Sequence, residues 1–312
     1  MKMLLSPLVV GALLATPLAA ARAEGPYLVQ ETGKTYSRLI EAVDSVHGGD
    51  ATVLIQPGTY RDCEVVEHGR VALRARVSGS VIFDGGICEG KATFVFRGRE
   101  AMVDGIVFRN LHVQDGNGAG IRLEHGGLTV MNSTFQDSDE GILTADDPAG
   151  VIRVDRSTFR NLGSCAIQAG CAHSLYIGHY GKLYVTRSRF DTGAGGHYIK
   201  SRSAFVSITD NSIDDSHGHQ TNYIIDLPSG STGLVARNTM VMGRDKENHS
   251  GYIAVRAEEN VNPSAGLTIT GNTATNVPGV SFKPAFVLDW SHEALKISGN
   301  KLGAGITPFQ SE

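Results

Sequence analysis

Apolar and polar residues alternate along most of this chain with a period of two, in short bursts separated by Gly, Asn, Asp and Ser. Seven bursts share one form: an alternating apolar stretch, a polar step holding Ser or Asn, and a further apolar residue. They read LTVMNSTF (128–135), IRVDRSTF (152–159), LYVTRSRF (183–190), VSITDNSI (206–213), LVARNTM (234–240), LTITGNTA (267–274) and LKISGNKL (295–302). The polar step falls at Ser133, Ser157, Ser188, Asn211, Asn238, Asn272 and Asn300, at intervals of 23 to 34 residues. Alternation of period two predicts strands. Intervals this uneven do not fit a propeller blade or a leucine-rich repeat. They fit a solenoid whose turns absorb insertions while its strands stack coil on coil. A side-chain amide or hydroxyl recurring at one turn can hydrogen-bond along the stack. A second apolar burst lies between these units: GIRLEH (120–125), GILTAD (141–146), SLYIGH (174–179), YIKSRS (198–203), IIDLPS (224–229) and IAVRAE (253–258). Each coil therefore carries at least two strands. The fold class read from this pattern is all-β, a single-stranded right-handed parallel β-helix.

The stretch 35–46 breaks the alternation and places Leu39, Ile40, Val43 and Val46 on one helical face. A short N-terminal helix there would cap the first coil, whose strand edges are otherwise unpaired. Ahead of it, Lys2, an apolar run over 4–20 and the small residues Ala21 and Ala23 predict a secretory signal peptide at 1–23. The β-helix domain then spans 24–312, and the product is periplasmic or secreted. No later run reaches the roughly 20 apolar residues that a transmembrane helix needs.

Composition adds exclusions. Glycine is abundant (38 residues) and aromatics make up 7% of the chain, which suits many turns and short strands. The net charge is −4 and there is no basic stripe, so nucleic acid is not an expected partner. Nor is a membrane once the signal is removed, and the expected state is a monomer. Four cysteines in an exporting context predict two disulfides. Three connectivities are open, of which Cys63–Cys88 and Cys165–Cys171 are the natural pairs.

Unusual polar residues gather in three consecutive coils. Aligned on their apolar residues, 173–179, 197–203 and 223–229 place His173, His197 and Tyr223 at one position and Tyr176, Lys200 and Asp226 three residues later. Leu175, Ile199 and Ile225 then face the core, so Tyr176, Lys200 and Asp226 face outward, with Arg202 two residues beyond Lys200. Such a wall has the groups that β-elimination from a uronate requires. A cation neutralises the carboxylate, a base takes the C5 proton, and an acid protonates the leaving oxygen. Lys200 is the candidate base and Arg202 the candidate carboxylate clamp, with Tyr176, His173 and His197 as further acid or base candidates. Asp226, His179, Tyr223 and Arg122 are candidate substrate contacts, and Glu124 and His125 lie near Arg122. Taken alone, Lys200 and Asp226 also fit a plain cross-strand ion pair on a solvated face.

The helix-like stretch followed by LIQPGTY (54–60) resembles the start of many bacterial proteins of the pectate-lyase-like β-helix superfamily. The polar wall resembles the polysaccharide lyases of that fold, including the alginate lyase and chondroitinase B group. That resemblance implies a Lys base and an Arg acid, which fall on Lys200 and Arg202. It also implies calcium as a possible cofactor. Acidic candidates are Asp139, Glu140, Asp146, Asp147, Asp214 and Asp215, without the spacing of a calcium loop. His217 and His219 are a separate candidate metal pair, with an ordinary polar turn as the alternative. The expected function is a lyase on an acidic, uronic-acid-containing polysaccharide. The alternatives are a uronate C5-epimerase and a non-catalytic carbohydrate-binding or surface-structural β-helix. A glycosidase would need two or three clustered carboxylates, and the wall shows one.

Overall fold

The computed structural model describes residues 25–165 and 170–312, so the signal peptide expected at 1–23 lies outside the described residues. Three long sheets run the length of the chain, one of 12 strands and two of 10. Each coil contributes one short strand to each sheet, and from Ala51 onward the strands pair in parallel with those one coil away, while Tyr27–Val29 pairs antiparallel with both Lys34–Tyr36 and Ala51–Ile55. The repeat unit of the sequence is a corner between two sheets: Gly127–Met131 lies in the first and Thr134–Ser138 in the second. The second burst forms the third sheet, with strands such as Glu140–Thr144, Leu175–Ile177, Ile199–Ser201, Ile225–Leu227 and Gly251–Val255. The parallel β-helix expected from the alternation is thus the fold, with three strands per coil.

The corner explains the repeated Ser and Asn. The residue before each polar step is left-handed: φ is 50° at Asn132, 46° at Arg156, 50° at Arg187, 62° at Asp210 and 56° at Arg237. At the last two corners Gly271 and Gly299 take that conformation, which costs a residue without Cβ little. The side chain that follows then turns inward and is bonded along the helix axis. Asn211, Asn238 and Asn272 each donate Nδ2 to the Oδ1 of the next Asn at 2.9 Å. That same Oδ1 also accepts the backbone N–H of the donating Asn, at 3.0 Å in each case. In the earlier coils serine hydroxyls take the backbone contact, as in Ser133 N to Ser157 Oγ at 3.3 Å. Inside the second sheet Phe108, Phe135, Phe159 and Phe190 stack face to face at 4.9, 4.9 and 4.6 Å, the spacing of neighbouring strands.

The N-terminal helix is shorter than its pattern. It spans Leu39–Asp44, because Lys34–Tyr36 pairs as a strand with Tyr27–Val29. Leu39, Ala42 and Val43 are buried, whereas Ile40 stays 40% exposed, since under two turns of helix present only one narrow face. The helix packs on strands Tyr27–Val29, Ala51–Ile55 and Glu64–Val66 and covers the first coil. Both disulfides form in the natural pairing, Cys63–Cys88 and Cys165–Cys171, with Cα–Cα distances of 5.5 and 4.3 Å.

Candidate functional site

In the third sheet Tyr176 stands opposite Lys200, and Lys200 opposite Asp226. Leu175, Ile199 and Ile225 point inward and are fully buried, so the other three project from the outer face. That face is not bathed in solvent. Lys200 is 7% exposed and Asp226 1%, which removes the reading of this pair as a surface ion pair. Loops between the sheets cover them, and a cleft of about 500 Å³ is lined by Glu140, His173, Tyr176, His197, Lys200 and Asn222 among others.

Three residues before this row, the rings of His173, His197 and Tyr223 follow one another with centroids 4.8 and 5.7 Å apart, tilted by 55° and 34°. The backbone N–H of His197 donates to His173 Nδ1 at 3.0 Å, which leaves the His173 proton on Nε2. Burial keeps both imidazoles neutral, with Lys200 adding to the effect. His173 is pushed down to about 3, and His197, which also feels His173, well below its usual range. His197 Nε2 lies 3.4 Å from Asp226 Oδ2. The same Oδ2 is 3.4 Å from Lys200 Nζ, while Oδ1 is buried with no partner among the described residues. Burial raises the Asp226 carboxyl to about 7 against the opposing pull of Lys200.

Arg202 ties the wall together. Its Nε donates to Tyr176 Oη at 3.1 Å and its Nη1 to Ser229 Oγ at 3.1 Å. Because a guanidinium only donates, Tyr176 Oη accepts here and keeps its own proton to give elsewhere. Nη1 also donates to Glu259 Oε1 at 2.6 Å, and Nη2 to Glu258 Oε2. The other oxygen of Glu258 accepts from Lys200 Nζ at 2.6 Å, so one carboxylate bridges both cations. Partial burial works against the charged form of Glu258. Its bonds to Lys200 and Arg202 outweigh that and hold it below the usual carboxylate range. His179 joins through Glu259 Oε2 at 3.1 Å and Asp146 Oδ2 at 3.2 Å.

The structure therefore gathers Tyr176, Lys200, Arg202, His173, His197 and Asp226, with Tyr223 and His179 at the edges. Arg122 stands apart. It is two strands from Tyr176, with Leu143 between them, and its Nε is 3.8 Å from Glu124 Oε1. Glu258 and Glu259 were not among the residues read from the sequence. Glu258 ends the burst IAVRAE (253–258) and Glu259 follows it; the strand of that burst aligns with those of Lys200 and Asp226, and that alignment is the one signal that points to them.

Most of the acidic residues considered for calcium have partners within the chain, while Glu140 Oε2 is buried without one among the described residues. Asp139 accepts from Val113 N and Gly118 N, both at 3.0 Å, and Asp146 and Asp147 pair with His179 and His125. Asp215 is fully buried against Lys246 Nζ at 3.0 Å. His219 pairs with Asp245 from the loop of the next coil. Among the described residues no group of three or more His, Cys, Asp or Glu is placed to hold a metal ion.

No protein-family model and no curated protein matches the chain. Two solved structures do. A PL6-family alginate lyase, AlyGC, matches with a TM-score of 0.53 and 14% identity over 81% of this chain. The match spans only 36% of that lyase's length. A pectin methylesterase solved in complex with a hexasaccharide matches with a TM-score of 0.53 and 8% identity, over 83% of this chain and 90% of its own. The shared feature is the parallel β-helix fold.

Proposed function

We propose that this chain is an exported, polysaccharide-active β-helix protein that cleaves a uronic-acid-containing polysaccharide by β-elimination. The observation that carries the reading is the Glu258 carboxylate held between Lys200 Nζ and Arg202 Nη2. Two cations converge on one carboxylate beside a phenol and two neutral imidazoles, and a uronate carboxylate would take the same place. Both solved neighbours are named as enzymes of acidic polysaccharides, which supports the substrate class. Two disulfides and the pattern over 1–23 support export.

In this reading Arg202 clamps the carboxylate and stabilises the charge that develops on it. C5 is bonded to the carboxylate carbon, so a group at the edge of that carboxylate is beside the C5 proton. Lys200, as the amine, takes that proton. Asp226 at 3.4 Å accepts the proton that Lys200 must first release. The C5–H electrons form the C4–C5 double bond, the C4–O bond breaks, and the Tyr176 hydroxyl protonates the departing oxygen. No step runs through a metal. Absorbance of the unsaturated uronate product, followed on a panel of acidic glycans, tests the proposal, and silence on every glycan would sink it. The carbohydrate-binding reading is favoured by one observation, the neutralisation of both cations by Glu258 and Glu259. It stands if the wall binds glycan and neither wild type nor Lys200→Ala turns it over.

A further inference from the structure

Glu258 and Glu259 lie just past the strand Gly251–Val255, two coils beyond Lys200. Their backbone is fixed. Both amides donate to Pro228 O, at 3.0 and 2.9 Å, and Asn262 N donates to Ser229 O at 2.9 Å. Asn262 Nδ2 reaches Arg202 O and Gly230 O, each at 3.1 Å. Arg256 fastens the segment to Asn262 O at 3.0 Å and to Glu293 at 2.5 Å. The two glutamate side chains differ from this frame. They are 41% and 40% exposed, while the side chains of Lys200 and Arg202 beneath them are 8% and 12% exposed. A rigid backbone thus holds two rotatable carboxylates over two sheltered cations. Glu259 shares its site with Ser229 Oγ at 3.2 Å and His179 Nε2 at 3.1 Å.

We infer that Glu258 and Glu259 are built-in occupants of the uronate subsite, which the carboxylates of an incoming polyuronate chain displace by side-chain rotation. This rests on the reading of the wall as a uronate site. The physical reason for such a device is the cost of the alternative. A sheltered Lys–Arg pair without a counter-charge is strongly destabilising, whereas exchanging one carboxylate for another keeps both cations paired while the chain binds, before Lys200 gives up its proton. The device also selects. An isolated carboxylate competes poorly with a tethered one at high effective concentration, whereas a polymer bound at neighbouring positions brings its own. Glu258 and Glu259 therefore discriminate chains from free uronate monomers.

The test is calorimetric titration of wild type, Glu258→Gln, Glu259→Gln and the double variant near neutral pH. The probes are tetramers of mannuronate, guluronate, galacturonate and glucuronate, with acetate as the single carboxylate. The expected result is a tetramer that binds Glu258→Gln about tenfold more tightly than wild type. The double variant binds it more tightly again and also gains measurable acetate binding. If Glu258→Gln fails to fold, Glu259→Gln reads the same competition at Arg202 Nη1. A tetramer that binds wild type and binds the glutamine variants equally or less tightly overturns this inference and leaves the polysaccharide reading standing. No binding of any tetramer to any form overturns both.

Discussion

Lys200 and Asp226 face each other on adjacent parallel strands, with Nζ 3.4 Å from Oδ2, and both are buried. A carboxylate in that setting has lost water at both oxygens and regained a partner at only one. Burial therefore favours the uncharged acid, and the carboxyl is raised to about 7. Asp226 thus shares a proton with its surroundings near neutral pH, which suits a neighbour that has to act as an amine.

That proton has a signature in stability. Asp226 titrates near 7 in the folded chain and near 3.9 when unfolded. Between those values the folded state holds a proton that the unfolded state has released. The contribution favours the fold below about pH 4 and is lost as pH rises through about 7. Asp226→Asn removes this dependence. Relative to wild type, the variant should gain up to about 4 kcal/mol between pH 4 and pH 8 in urea unfolding. The buried histidines contribute the opposite slope in both proteins and largely cancel. A difference that stays flat with pH contradicts the assignment.

Tyr176→Phe keeps the ring and removes the hydroxyl that accepts from Arg202 Nε at 3.1 Å. If that hydroxyl protonates the leaving oxygen, turnover falls by about 10²- to 10⁴-fold while tetramer affinity changes only a few-fold. Equal losses in affinity and turnover would make Tyr176 a binding residue alone.

The corner ladder is a stability element. Asn238 donates to Ile208 O at 2.8 Å and Asn272 Oδ1 at 2.9 Å, and accepts from Asn211 N at 3.0 Å. Asn238→Ala leaves a buried amide and a buried carbonyl unpaired, at a cost of about 2–4 kcal/mol. Asn238→Ser retains one acceptor, as Ser157 and Ser188 do in earlier coils, so the order of thermal midpoints should be wild type, then Ser, then Ala. A serine variant no better than alanine would refute the ladder account.

The disulfides differ in reach. Cys63 and Cys88 are 25 residues apart and Cys165 and Cys171 are 6 apart. Loop-closure entropy makes the first the larger contributor, so replacing Cys63 and Cys88 with Ser should cost about 2–4 kcal/mol in denaturant unfolding. The corresponding Cys165, Cys171 variant should cost less.

The fold was legible because a solenoid writes its register locally. Apolar alternation gave the strands, and aligning Leu175, Ile199 and Ile225 was enough to place Tyr176, Lys200 and Asp226 in one row. The corner Asn and Ser residues were visible for the same reason. What lies between the strands was not. Glu258 and Glu259 reach Lys200 and Arg202 from a non-repeating loop two coils away, and period two says nothing about where such a loop folds. The burial of Lys200 depends on that covering and was equally hidden. At the N-terminus the helix pattern over 35–46 yielded to strand pairing at Lys34–Tyr36, a competition that helical periodicity does not register.

The most direct test compares wild type with Lys200→Ala on a panel of acidic polysaccharides, reading unsaturated-uronate absorbance and glycan binding together. Wild type should form product from at least one glycan, and Lys200→Ala should lose about 10²- to 10⁴-fold in turnover while retaining binding. Product formed equally by both proteins, or by neither, would contradict the proposed function.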